Sequence, residues 1–291
     1  VAQDTPLVRQ RQLRAAIRSF RRNVGLTQRQ VAAALEWSES KIMRIETGIT
    51  NVSATDLKAL LAQYGVTDAA TVGDLCALAR ESRRRTWRDA YRQEIEPQFY
   101  LFLGYEESAV RIRQRQSAVV PVLLQTEEYG RQLARTFSDD DHRIGRVLEL
   151  RADRQRIFDA DGERVAEFLL DESVLRRRVG DWSIMRDQLV RIREFGRRPD
   201  VTIRVVRFEA GEHWGMAASF GIFDLAHDAD DRVVFAEQPA GDAIAAVTLR
   251  DNADDMAPYL DGYHEAAKLA SSPEDTADLL DALVAEYDRR A

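Results

Sequence analysis

The chain has 291 residues, 45% of them hydrophobic and 31% charged, with a single cysteine and a formal net charge of −7. No apolar run approaches the roughly 20 residues that cross a bilayer, the N-terminus "VAQDTPLVRQ" has no apolar signal core, and Cys76 alone excludes an intrachain disulfide framework. A soluble, cytoplasmic protein with no membrane partner and about two domains is therefore expected.

The charge is divided unevenly. Residues 1–90 carry 15 Lys and Arg against 9 Asp and Glu, and the remainder 27 against 40. A basic first third joined to an acidic remainder is expected when one end meets nucleic acid and the other does not. In that first third, Leu13, Ile17, Phe20 and Val24 recur at helical spacing opposite a face of arginines, which predicts an amphipathic helix stopped by Gly25. Thr27, with Gln30 three residues on, forms a capping-box pattern for a second helix whose inward face is Val31, Ala34 and Leu35, with Ala32 small enough to admit a close neighbour. After a short turn Ser38 caps a third helix, with Ile42 and Ile45 pointing to the core and Gly48 as its stop. Ser53 caps a fourth, with Leu57, Leu60, Leu61 and Tyr64 as its buried stripe. "DAATVGDLCALARESRRR" supplies a fifth, with Cys76 as a small core residue.

Helices two and three joined by a three- or four-residue turn have the helix-turn-helix arrangement, in which the third helix enters the major groove of double-stranded DNA N-terminus first. The side chains there that avoid the core are Glu39, Ser40, Lys41 and Arg44. Arginine and lysine suit guanine O6 and N7, and serine serves either base class. Gln28, at the start of the second helix, sits where a phosphate lands. Ser38 and Asn51 complete the candidate DNA-contact set. Trp37 is expected to pack in the turn.

"GLTQRQVAAALEWSESKIMRIETG" resembles the phage-repressor-like (Cro/cI, xenobiotic-response-element, XRE) family. The resemblance rests on the Thr-Gln opening, the mid-helix alanine, the polar recognition helix and the "IE-x-G" ending, and it covers about residues 10–66. It implies that Gln28, Ser40, Lys41 and Arg44 face DNA and that Glu46 is an internal partner of an arginine of the first helix. Two departures stand out. Glu36 occupies the turn position usually held by glycine, where a side chain at positive φ costs roughly 1 kcal/mol or more. The loop "ITNVS" lacks the basic residues common in relatives, which predicts fewer phosphate contacts and a greater need for dimerisation.

Domain boundaries are expected at 1–82 for the helix-turn-helix domain, 83–97 for an exposed linker helix ending at Pro97, and 98–291 for a mixed α/β domain. The chain as a whole is then α+β, an all-α five-helix domain followed by an α/β one. In the second domain "FYLFLGYEESAVRIRQRQ" predicts one or two strands from its aromatic and β-branched content. A helix follows from about Thr126, then a long amphipathic helix over "DHRIGRVLELRADRQRIF". Next come a strand at "EFLLDESVL", a helix at "WSIMRDQLVRIREFGRR", and strands at "VTIRVVRF", "ASFGIFDLA", "RVVFAEQ" and "AIAAVTL". Two helices close the chain, the last with Ser272 as cap and Pro273 at the first helical position.

No catalytic signature appears. There is no glycine-rich phosphate loop, no nucleophile elbow and no helical His pair, and the four histidines are scattered, so neither an enzyme nor a metal or other cofactor is expected. "GEHWGMAASFG" places His213, Trp214 and Met216 among glycines between two strands, a candidate ligand pocket or equally a tight connection packed by its own Trp and Met. The order "VVPVLLQTEEYGRQL", "LELRADRQRIF", "DESVLRRRVGDWSIMRDQL", "VTIRVVRFEAGEHWGM", "SSPEDTADLL" resembles an uncharacterised-function domain that follows a repressor-like domain in actinobacterial, antitoxin-like regulators, which are often encoded beside a small partner protein. The resemblance implies a transcriptional regulator, a homodimer on its DNA operator, whose C-terminal domain senses a small molecule or protein partner. The alternative it leaves is an interaction protein that sequesters a small partner and autoregulates its operon.

Overall fold

A computed structural model describes residues 5–48, 50–159, 164–225, 231–238 and 246–291. The chain divides into one compact unit that ends at Asp89 and a second that begins at Ala90. The first unit is all helical: α1 (Pro6–Asn23), α2 (Gln28–Ala34), α3 (Glu39–Thr47), α4 (Ala54–Gln63) and α5 (Ala69–Glu81). A side chain caps each N-terminus, from Thr5, Thr27, Ser38, Ser53 and Asp68 in turn, accepting an N–H that has no partner within the helix. Thr27 and Gln30 form the full reciprocal box.

Leu13, Ile17, Val31, Ile42, Ile45, Leu57, Leu60, Leu61 and Tyr64 form one core, with Cys76 and Trp37 partly buried against it. Ala32 is buried against that core, and two apolar positions depart from the predicted stripes, Ala34 and Val24. Ala34 is exposed. Val24 is 45% exposed because it caps the C-terminus of α1, where the chain leaves the helical path before left-handed Gly25.

The predicted linker helix over 83–97 is absent. Only the short 3-10 helix Trp87–Tyr91 forms there, since three successive arginines, Arg83 to Arg85, offer no apolar stripe to bury. Pro97 starts a helix instead of ending one, at the first position of α6 (Pro97–Ser108), where its missing N–H costs nothing. The "FYLFLGYEES" part of the strand prediction is therefore corrected to helix. Phe99, Phe102, Leu103, Gly104, Tyr105, Glu106 and Ser108 are all buried in α6, and a helix enclosed on every side loses the period that would have marked it.

The second unit is built on a six-stranded sheet ordered β3-β2-β1-β4-β5-β6. Its strands are β1 (Arg111–Gln116), β2 (Val165–Asp171), β3 (Val201–Val206), β4 (Phe220–Asp224), β5 (Arg232–Gln238) and β6 (Ala246–Arg250). β1, β2 and β3 run parallel, and β4, β5 and β6 continue antiparallel. The first residues of the predicted "AIAAVTL" strand and the last of "ASFGIFDLA" lie outside the described residues. The parallel crossovers are helical, as parallel pairing requires: α7 (Glu127–Arg135) and α8 (Asp141–Gln155) join β1 to β2, and α9 (Glu172–Arg176) and α10 (Trp182–Phe195) join β2 to β3. α11 (Ala253–Leu269) and α12 (Pro273–Asp288) close the chain, α12 capped by Ser272.

The central strand β1 is polar, "RIRQRQ", yet buried from Ile112 to Gln116. Its two faces solve this differently. Arg113 reaches Asp224 at 2.9 Å and Arg115 reaches Asp171 at 3.3 Å, on the face where Tyr263 and Ala266 of α11 pack over Phe220, Ile222 and Val234. On the other face α6 lies across the sheet, with the ring of Phe102 5.5 Å from Phe223 and 5.3 Å from Phe235.

His213, Trp214 and Met216 have three different surroundings. The His213 side chain is 4% exposed and 3.6 Å from Asp171; desolvation and then Arg115 lower its pKa, against the pull of Asp171. Trp214 packs edge-on against Phe220 and Tyr259, each at 5.7 Å, and lies over Gly262 of α11. Met216 points to solvent, 56% exposed. The loop passes against buried Arg115, and a side chain at Gly215 would collide with its Nε. A methyl at Gly262 would overlap the Trp214 ring, so Gly262→Ala is expected to destabilise the chain by about 1–3 kcal/mol in urea unfolding. Gly145→Ala in α8, which meets open space, should instead hold or raise stability by up to about 1 kcal/mol; equal effects of the two would show that the Trp214 contact is not formed.

Candidate nucleic-acid interface

α2 and α3 are joined by a tight reversal. Glu36 N–H donates to Ala33 O at 3.3 Å and Trp37 N–H to Ala32 O at 2.8 Å, the paired bonds of a Schellman ending. That ending places Glu36 at φ 55°, the single positive φ outside glycine among the described residues. Ser38 then accepts from Lys41 N–H and starts α3. Gly48, left-handed at φ 79°, ends it.

The angle between the helices is held by Glu46, 2% exposed. Arg21 of α1 donates from Nε and Nη2 to its two oxygens at 2.6 and 2.9 Å. Gln28 Nε2 of α2 adds a third bond at 2.8 Å. Arg21 also donates to Leu26 O at 2.9 Å, fixing the turn between α1 and α2. Hydrogen bonding to Glu46 raises the Arg21 pKa. Desolvation first, then Glu46, pushes the Tyr64 hydroxyl up to about 12.

The sequence-predicted contact residues therefore fall into two groups. Glu39, Ser40 and Arg44 are exposed on α3, and Arg44 has no ion pair among the described residues. The other four are already engaged within the unit. Ser38 caps α3, and Gln28 belongs to the Glu46 cluster. Lys41 Nζ lies 2.9 Å from Asp56 and 3.5 Å from the centre of the Trp37 ring. Asn51 Oδ1 accepts from Gln10 Nε2 at 2.6 Å. Asp56 in turn has its pKa lowered by its bonds from Lys41 and Ser53, against a larger desolvation that raises it.

Ser40, Met43, Arg44 and Thr47 stand at i, i+3, i+4 and i+7, so they form one continuous exposed stripe. Met43, 43% exposed, and Thr47 escape a reading from residue type, because a methionine between two core isoleucines resembles core. Helical spacing from Ser40 is the signal that would have found them. α1 carries its own cationic stripe of Arg11, Arg14, Arg18 and Arg22, close enough that burial first, then Arg14 and Arg22, lower the Arg18 pKa.

Replacing Glu36 by glycine removes the side chain from a left-handed position and is expected to stabilise residues 1–89 by roughly 0.5–1 kcal/mol. Urea unfolding of that fragment measures it; a loss of stability would mean that the Glu36 side chain makes a contact outweighing its backbone strain.

Among the described residues no helix is long and apolar enough to cross a membrane, and no group of three or more His, Cys, Asp or Glu could hold a metal ion. No curated protein and no solved structure matches the chain. A family model described as a helix-turn-helix domain matches residues 12–72, the span of α1 to α4 and the start of α5. A second, described as a domain of unknown function (DUF5753), matches residues 99–282. With that match running from α6 into α12, the chain belongs to the DUF5753 family and carries a helix-turn-helix domain ahead of it.

Proposed function

We propose that the protein is a sequence-specific DNA-binding transcriptional regulator that lays the Ser40–Met43–Arg44–Thr47 stripe of α3 in a major groove. The single observation that carries this reading is Arg44, exposed at the middle of the stripe without an ion partner among the described residues. A guanidinium so placed suits guanine O6 and N7, Ser40 either base class, and the Met43 side chain a thymine methyl. Lys41, held by Asp56 and Trp37, then braces the start of α3, and Gln28 contributes chiefly by fixing α2 against Glu46. The α1 arginines and Arg29 supply phosphate contacts.

One such helix binds a specific site weakly, and two half-sites about 34 Å apart remedy that. The chain accordingly acts as a homodimer, in the manner of the Cro/cI and XRE regulators it resembles, with residues 90–291 supplying dimer contacts and receiving a small molecule or protein. The exposed Phe208, Trp214 and Met216 around one loop favour a second use of that domain. In it an antitoxin-like protein captures a small partner and autoregulates its operon.

Arg44→Ala should lower affinity for a selected operator by roughly tenfold or more, with thermal unfolding unchanged because the side chain is exposed. Gel-shift titration against operator and random DNA is the check; preserved discrimination between the two would refute the docking. Residues 1–89, which have their own core, should bind a palindromic operator far more weakly than the full chain, and equal affinities would remove the dimer claim.

A further inference from the structure

The second unit holds a partly open cavity of about 660 Å³. It lies between the α6 face of the sheet and the segment following β1, with α7 and α8 contributing its wall. That volume is within the ~300–1,000 Å³ of sites that take small organic molecules. Much of the lining is apolar, including Phe99, Leu133, Phe137, Val147, Leu150 and Val247.

Its polar lining is unusual in one respect. Gln114 and Gln116 of the central strand are 2% and 3% exposed, yet among the described residues neither side-chain oxygen accepts a hydrogen bond, and Gln125 Oε1 is in the same condition. All three residues line the cavity. Gln116 Nε2 donates to Glu237 Oε1 at 2.7 Å, and Gln125 Nε2 to Val120 O at 2.7 Å, so these amides are held at one end while the other end lacks a partner. Native proteins leave few buried acceptors unmet. The last torsion of a glutamine is broad, so the Gln114 oxygen turns readily to a donor placed in the cavity, while those of Gln116 and Gln125 accept where their Nε2 bonds hold them.

The charges around the cavity narrow the donor. Arg154 is already bound by Glu106 at 2.8 and 2.9 Å. Arg151 donates to Gly130 O at 2.6 Å and has no carboxylate partner among the described residues. An ammonium would meet this surplus of positive charge, and a carboxylate has no hydrogen to offer the glutamine oxygens.

We infer that this cavity is an effector site for a neutral amphipathic molecule, an apolar body carrying a hydroxyl or amide N–H that donates to Gln114 Oε1, with Gln116 and Gln125 beside it. The inference rests on the reading of residues 90–291 as an effector domain, and it uses none of the residues His213, Trp214 and Met216.

Isothermal titration of the full chain with octan-1-ol, octanoate and octylammonium tests it without DNA. One saturable site per chain is expected, with octan-1-ol bound about five- to tenfold more tightly than either ion. Gln114→Leu conserves volume and removes one unmet oxygen. It should leave the unliganded Tm unchanged or higher while weakening octan-1-ol three- to tenfold, a pairing that a purely structural role would not give. Absence of saturable octan-1-ol binding, equal or tighter binding of either ion, or an unchanged octan-1-ol affinity in Gln114→Leu would overturn the proposal. Operator binding by the same preparation separates the two readings: its loss with octan-1-ol binding intact sinks the regulator alone, and the reverse result sinks the cavity alone.

Discussion

A carboxylate taken out of water must have its charge and its lone pairs met, and Glu46 meets that demand by drawing three helices together. α3 carries the anion, α1 sends Arg21 and α2 sends Gln28. The relation of α2 to α3, on which any reading of a DNA groove depends, is thus tied to one buried group. Removing one partner from such a cluster leaves an uncompensated charge, at a cost of about 3–5 kcal/mol. That is a large share of the stability of a small domain, so the residue that fixes the reading helix also holds the unit together.

The same economy of charge explains why a net surplus overstates the cations available to DNA. The first third carries more Lys and Arg than Asp and Glu, but Arg21 is committed to Glu46, Lys41 to Asp56 and Arg9 to Glu81. What remains on the α3 stripe is Arg44, with Glu39 close by. Limited free charge at the reading face is the physical ground for placing two copies on one operator. In the second unit arginines again serve the interior: Arg113, Arg115 and Arg154 are buried against Asp224, Asp171 and Glu106.

Much of the first unit was legible because its signals are local. Caps, stop glycines and the period of the buried stripe act within four residues, and Thr27, Ser38, Ser53 and Gly48 all perform as their types suggest. At Glu36 the sequence left two outcomes open, a different turn or a strained one, and the fold takes the strained one with Glu36 at φ 55°. What was not legible has equally physical causes. Lys41 looks free by type, and its pairing with Asp56, 15 residues away, leaves no local mark. α6 looks like strand because it is buried on all sides and shows no period.

The amino-acid sequence by itself determined the class of the molecule: a capped, basic helical domain with a helix-turn-helix, followed by an acidic α/β domain, with the reading helix placed to within a residue. Only the tertiary structure decided which polar side chains remain free. A hydrogen bond or ion pair between residues 18 or 111 positions apart, such as Gln28 with Glu46 or Arg113 with Asp224, leaves no mark on either local stretch. For the same reason the glutamines of "RIRQRQ" look like surface residues in the sequence, and in the fold they become acceptors lining a cavity, unmet among the described residues.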